Sequence, residues 1–453
     1  MRKLLLVIAA TLGATLGLAG GAKAQPKLPP AAGTLTVHLN GYFQFQFADF
    51  GSTYNNVTVP TVGTYKLNPI TTMGEVRLYP GFDGMSRDGL QYGVQIELRT
   101  NYSDAGVGAN KTNGTGSTAG TSSLYVRRAY AYVGTVDDGY VRLGQTDSAF
   151  SLLQDGVIEA FGDGSQWPGD GTTVSLLPTA ATPGNFIYAD TGNLYATGKV
   201  VLISPAFAGF SAMAGFEPNS NGIKEGNGSC AIAGSTCAAL SSSPTAGDVG
   251  KRRKNTIDAM VQYSWKGNGF VVKTSAGFLY GAPVNYDGVP TALGTATHLG
   301  YDNLEVYQAG GQVTYAGVTL GANIKGGQVE DSYAFKPKGA RDALAYLISA
   351  NYVIGPYVIG ASYWNSQSAG SFVPHNTSHI ANTLSEYGIA IGGNYVVSPA
   401  LSFFVQYLYG HKHQPGNAFG GTTSVGTPAV KYTNGSVGNA QIQAIGTGLT
   451  IKW

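Results

Sequence analysis

Charge is scarce in this sequence: 11% of its 453 residues are Asp, Glu, Lys or Arg, where a soluble domain carries about 25%. Long apolar runs are missing too. After Ala24 no window holds 18 consecutive apolar residues, so no membrane-spanning helix is written there. Cysteine is limited to Cys230 and Cys237, which permits one disulfide and no cysteine framework. The formal net charge is only +2, which argues neither for nucleic acid nor for an acidic partner, and no nucleic-acid partner is expected. Two hydrolase signatures, the Gly-x-Ser-x-Gly elbow and His-Glu-x-x-His, are absent. The run Gly106 to Thr112 looks like a phosphate loop, but Asn110 stands where glycine is required.

What is present is glycine (66 residues), tyrosine (28) and a mean hydropathy of −0.01. A chain of intermediate hydropathy without apolar runs must spread its apolar residues out. The N-terminus is the exception. Met1-Arg2-Lys3 is basic, Leu4 to Gly20 is mostly apolar, and Ala22-Lys23-Ala24 has the small-x-small form of a signal-peptidase site. The expectation is a signal peptide over 1–24, cut after Ala24, with export out of the cytoplasm. Residues 25–34, rich in Pro and Ala, read as a flexible lead-in, and 35–453 as one barrel domain.

From Leu35 onward the apolar residues alternate. In Leu35 to Phe47 the odd positions are apolar or Gly and the even ones mostly polar; Tyr387 to Tyr395 and Leu401 to Tyr407 repeat the theme. This is strand periodicity with one face suited to hydrocarbon and one to water. Sixteen such segments start near residues 35, 73, 89, 124, 139, 198, 209, 255, 269, 303, 317, 343, 357, 384, 400 and 439. Tight turns, such as Asp137-Asp138-Gly139 and Gly355-Pro356, alternate with long loops rich in Gly, Ser, Thr and Asn. The predicted fold is therefore all-β: a transmembrane antiparallel up-and-down barrel of about sixteen strands. An open sheet of that size would leave unpaired edges in lipid, so the sheet closes.

A barrel that wide leaves an aqueous channel. Small and polar residues expected to face it include Gln95, Glu97, Ser349, Asn351, Asn394 and Gln406. The third long loop, 147–197, is the longest. Its first part holds Asp147, Asp155, Glu159, Asp163 and Asp170 with no Lys or Arg. Alternation points Arg77, Arg99, Arg127 and Arg142 inward from the early strands. Folded into the lumen, the loop would set carboxylates against an arginine wall and create a transverse field. The alternative is an acidic loop in solvent, with the arginines paired to neighbouring acids.

Several blocks bear a family resemblance. Val76-Arg77-Leu78-Tyr79-Pro80-Gly81-Phe82-Asp83-Gly84, followed by Gly89 to Arg99, is similar to the second hairpin of Gram-negative general-diffusion porins. Arg127 to Gly134, with Gly139-Tyr140-Val141-Arg142-Leu143-Gly144-Gln145, resembles their fourth and fifth strands. Ser204 to Phe210 resembles the turn after the sixth. The resemblance implies a homotrimer of sixteen-stranded barrels, each with its third loop folded inside. It puts Asp155, Glu159 and Asp163 in the constriction loop and Arg77, Arg99, Arg127 and Arg142 on the facing wall. The C-terminal Leu449-Thr450-Ile451-Lys452-Trp453 departs by ending in Trp rather than Phe. Leu449, Ile451 and Trp453 still resemble the signal read by the barrel-insertion machinery, and Trp suits an interfacial girdle.

Smaller features have bland readings beside sharper ones. Cys230 and Cys237 either close a local disulfide or remain thiols. Lys251-Arg252-Arg253-Lys254 either contacts lipopolysaccharide phosphates or is simply solvated. The histidines, including His411, His413, His375 and His379, form no convincing metal set. No cofactor and no metal are expected. The function expected is a passive outer-membrane pore for small hydrophilic solutes and ions. Alternatives are a channel selective for a sugar or an anion, a barrel enzyme, and a structural protein tied to the cell wall.

Overall fold

The computed structural model describes residues 31–59, 63–100, 124–167, 172–178, 180–184, 186–188, 194, 197–219, 253–283, 301–330, 333–336, 338–370, 382–417, 419, 422–423, 430–433 and 438–453. Among them are sixteen strands that close into one antiparallel barrel. They are β1 (Leu35–Ser52), β2 (Ile70–Met85), β3 (Gln91–Thr100), β4 (Leu124–Thr135), β5 (Gly139–Thr146), β6 (Thr197–Ile203), β7 (Phe210–Asn219) and β8 (Arg253–Gly267), then β9 (Phe270–Pro283), β10 (Leu304–Tyr315), β11 (Val318–Gln328), β12 (Ala343–Ile354), β13 (Tyr357–Ser368), β14 (Leu384–Ser398), β15 (Leu401–His413) and β16 (Asn439–Lys452). Every strand begins within about three residues of its expected start, because each carries several turns of period-2 alternation.

Closure is made by β1, which pairs β2 on one edge and β16 on the other, with Phe45 opposite Leu449 and Phe43 opposite Ile451. The Trp453 backbone N–H donates to the Gly41 carbonyl at 3.1 Å. A Cβ on Gly41 would lie 2.6 Å from the Trp453 ring, so glycine there seats the C-terminal aromatic. Leu449, Ile451 and Trp453 thus form part of the seam that joins the two ends of the chain.

The two faces of the wall differ sharply. On β1 the odd residues Leu35, Val37, Leu39 and Phe47 are exposed, while the even residues Tyr42, Gln44, Gln46 and Ala48 are buried. The same alternation runs round the barrel, with Leu320, Ile324, Ile348, Ile359, Ile391 and Val405 on the exposed side. A bilayer requires that apolar face outside, so the covered face turns inward.

Two features were not anticipated. Four short strands in the first and last long loops, Asn56–Val59, Gly63–Lys66, Thr422–Thr423 and Val430–Thr433, form a separate sheet; segments of two to four residues are too short to show a period. The covered face is also not uniformly polar. Met260, Leu279, Leu304, Val306, Leu347, Trp364 and Leu408 are buried there in one apolar cluster. The signal peptide, the lead-in up to residue 30, Cys230, Cys237, Asp170, Lys251, Arg252, His375 and His379 lie outside the described residues.

Candidate pore constriction

The early strands carry a charged ladder on their covered face. On β2, Arg77 is forked onto Glu75, with Nη2 donating to Oε2 at 3.2 Å, and its guanidinium lies 5.1 Å from the centre of the Tyr42 ring. On β3, Arg99 is bonded to Glu97. Glu97 also takes Arg127 Nη1, at 3.4 Å, and Arg128 from β4. Arg128 in turn reaches Asp147 at the start of the third long loop, Nε to Oδ2 at 2.6 Å. Arg77, Arg99, Arg127, Glu75 and Glu97 are all buried. Arg142 on β5 is half-buried and lies 5.0 Å from the centre of the Tyr130 ring.

Arg128 escapes a simple alternation argument, which assigns adjacent residues to opposite faces. The pairing passes from Glu97↔Arg128 to Leu98↔Val126, leaving Arg127 as one extra residue on β4. This β-bulge turns both arginines to the same face. One carboxylate, Glu97, thereby gathers three guanidiniums.

The chain after β5 continues across the covered side chains of strands far from it in sequence. A single helical turn, Ala149–Leu152, is capped by the Ser148 hydroxyl, which accepts from the Ser151 N–H. Asp258 of β8 accepts the Phe150 N–H at 2.7 Å. Ser275 of β9 accepts the Asp155 N–H at 3.0 Å, Gln262 of β8 donates to the Asp155 carboxylate at 2.9 Å, and Asn323 of β11 donates to its carbonyl at 2.8 Å. The Ile158 N–H donates to Ser349 of β12 at 3.1 Å, and Asn394 of β14 donates to the Gly162 carbonyl at 2.7 Å. Gln406 of β15 brackets Asp163, accepting from its N–H at 3.0 Å and donating to its carboxylate at 2.6 Å. Thr173 reaches Gln46 of β1 at 3.2 Å. Burial pushes the Asp163 carboxyl above its usual range, while donors from Thr173, Ser165 and Gln406 pull the other way.

Apolar packing holds the same segment. Phe150, Phe161, Trp167, Phe186 and Tyr188 are buried with Leu279, Val306, Leu347, Trp364 and Leu408; Trp167 meets Trp364 edge to face at 6.1 Å. The wall has glycine where the segment presses closest. A Cβ on Gly360 would lie 2.2 Å from the Phe161 ring, one on Gly410 2.6 Å from Trp167, and one on Gly310 2.1 Å from the Asp155 carbonyl oxygen. Lys325 of β11, wholly buried, donates to Tyr333 Oη at 2.9 Å and to the Phe186 and Tyr188 carbonyls at 3.3 and 3.4 Å.

The two halves of the expected site therefore engage different partners. Arg77, Arg99 and Arg127 are held by Glu75 and Glu97, and Asp155 and Asp163 by amides and hydroxyls of β8, β9, β11 and β15. The Glu159 carbonyl accepts from Gln166 at 3.1 Å. Glu75, Arg128 and Lys325 were not singled out from the sequence; the Arg127-Arg128 doublet and a lone lysine at inward parity were the available signals. Arg253, read with the outer basic run, is instead buried on Glu217 at 2.7 Å, beside Lys199 at 3.5 Å from the same carboxylate. His411 lies beside the Tyr387 ring at 5.2 Å. Among the described residues no group of three or more His, Cys, Asp or Glu could hold a metal ion.

A closed barrel, apolar outside, with charged clusters and polar side chains within, defines an outer-membrane β-barrel channel. Residues 7–414 match the model of the Gram-negative porin family. The chain belongs to that family, whose members are outer-membrane channels for passive diffusion. An anion-selective porin from Comamonas acidovorans shares the fold at TM-score 0.50 and 13% identity, over 93% of this chain and 100% of its own. OmpT of Vibrio cholerae, described as outer-membrane expressed, gives 0.49 and 13% over 94% and 100%. A triple-mutant porin of Rhodopseudomonas blastica gives 0.47 and 11% over 92% and 100%. The comparison with curated proteins found no match.

Proposed function

We propose that this chain is a passive, non-enzymatic pore whose lumen is narrowed by the described residues between Asp147 and Leu194, folded inside the barrel. The observation that carries this reading is the hydrogen bonding of that segment to inward side chains of β8, β9, β11, β12, β14, β15 and β1. A strip that bonds inward residues over more than half the circumference runs inside. Its Asp155, Glu159 and Asp163 belong to the loop side of the constriction, and Arg77, Arg99, Arg127 and Arg142 to the wall side. Since Glu75, Glu97 and Asp147 already neutralise much of the wall, the transverse field is local rather than spread across the opening.

The chain reaches the outer membrane through its signal peptide and the insertion machinery, with the C-terminal strand as the recognised element, and meets lipopolysaccharide at its long-loop rim. It assembles as a homotrimer. Two features of the outer face support the trimer. Aromatic side chains line both rims of the arc β7–β15, for example Tyr346, Tyr363 and Tyr387 at the long-loop end, and Tyr263, Tyr315 and Tyr395 at the short-turn end. On β2–β6 the outward residues are aliphatic or small apart from Phe82 and Tyr92. In addition, β5 and β6 have only 8 and 7 residues, short of the roughly 9–11 needed to cross hydrocarbon. Such a low, girdle-free arc suits contact with another subunit better than contact with lipid.

The test is channel recording in planar bilayers with purified trimer. Conductance is expected to grow with salt and to pass small solutes up to a size limit. A folded, heat-modifiable barrel that gives no conductance overturns the reading.

A further inference from the structure

We propose that the inner wall of β1–β5, at the short-turn end, holds a binding subsite for a neutral sugar ring. The inference rests on the pore reading above, which makes this wall part of the lumen.

The subsite is an aromatic corner. Tyr132 on β4 and Tyr140 on β5 lie with ring centres 6.3 Å apart and planes at 67°. Each rests on a glycine of the neighbouring strand. A Cβ on Gly93 would fall 2.6 Å from Tyr132, and one on Gly134 2.8 Å from Tyr140. Side chains at those two positions would lift the rings off the wall. With glycine beneath, the rings lie back and each stays partly exposed. Tyr130, one step further in on β4, is overlaid by the Arg142 guanidinium.

The phenols are fixed from behind. Tyr132 Oη donates to Asp83 of β2, and Tyr140 Oη donates to Gln91 of β3 at 2.7 Å. Gln95 also donates to Asp83, at 3.3 Å, and His38 Nε2 lies 3.4 Å from the same carboxylate. The rings are therefore pre-set, and binding need not freeze them.

The chemistry points to one ligand class. Two ring faces at a steep angle offer an apolar notch to the C–H faces of a pyranose. Carboxylate, amide and guanidinium groups around it can exchange hydrogen bonds with the hydroxyl edge. Tyr132 has Asp83 at its hydroxyl and Arg142 opposite it in the ladder, so the corner carries both signs of charge and lacks the surplus positive charge that an anionic solute would need. A ring that does no more than cover a wall glycine would not require so many fixed polar groups at its rim.

The test is current block in planar bilayers with the wild-type protein, adding maltotriose in one series and benzoate in another. Saturable block by maltotriose and none by benzoate is expected. Replacing both rings, Tyr132→Leu with Tyr140→Leu, keeps the glycines covered and should raise the half-blocking concentration about tenfold without changing the sugar-free conductance. Tyr132→Phe keeps the ring and should retain most of the block, which guards against a folding defect in the double variant. Normal conductance without sugar block overturns the subsite and leaves the pore reading standing. Equal block in the double variant, or block by benzoate alone, also overturns it. Loss of all conductance in the wild type overturns the pore reading itself.

Discussion

At the scale of single residues, Glu97 is the position on which most depends. It is the shared partner of Arg99, Arg127 and Arg128, and removing one member of a buried ion-pair group costs about 3–5 kcal/mol because the remaining charges are left uncompensated. Glu97→Gln is expected to lower the unfolding midpoint of the barrel in detergent. It should also move the reversal potential in a KCl gradient toward chloride, since three guanidiniums lose their common anion. An unchanged reversal potential would place this cluster away from the permeation path. The sequence made Glu97 and the arginines visible as inward residues, because parity along a strand is readable. It hid their arrangement. The bulge at Arg127 breaks parity by one residue, and nothing in the local composition announces where a ladder will slip.

At the scale of elements, the sixteen strands were legible and the third loop was legible only in part. Its length and acidity stood out. Its anchoring did not, because the apolar residues that hold it, such as Leu347 and Trp364, alternate along their strands with lipid-facing ones. A strand with apolar residues on both faces gives no sign of which set meets hydrocarbon and which meets a loop. The close approach at Gly360 gives a direct test. Any side chain there collides with the Phe161 ring, so Gly360→Val should push the 147–194 segment off the wall while leaving the outer face untouched. Single-channel records of this variant are expected to show a wider range of conductance levels and more open-channel noise than the wild type. A record indistinguishable from the wild type would mean that the segment does not narrow the pore.

At the scale of the whole molecule, the outer surface divides into an arc with aromatic rims and an arc without them. Leu143 on β5 and Ile348 on β12 are both exposed apolar residues, one on each arc. Arginine facing the middle of a bilayer costs about 2–4 kcal/mol. Ile348→Arg should therefore lower the yield of folded protein in lipid vesicles, while the protein that does fold still assembles normally. Leu143→Arg should leave barrels that fold but migrate as monomers in seminative gels and after chemical cross-linking. If the two variants behave alike, the arcs are equivalent and the trimer contact lies elsewhere.

The docking of the third loop also fixes an order of events in biogenesis. The loop leaves the ribosome between β5 and β6, yet its resting place is built from β8 to β16 and closed by β1. Until β11 to β15 arrive, Phe161, Trp167 and Phe186 lack the wall against which they pack, and long-range contacts of this kind form late. Before it folds, the chain carries a sticky aromatic segment uncovered, which makes it a target for holdase chaperones and for aggregation. On the reading proposed above, the segment can set the aperture only after most of the wall is built, so a barrel halted early has no defined bore.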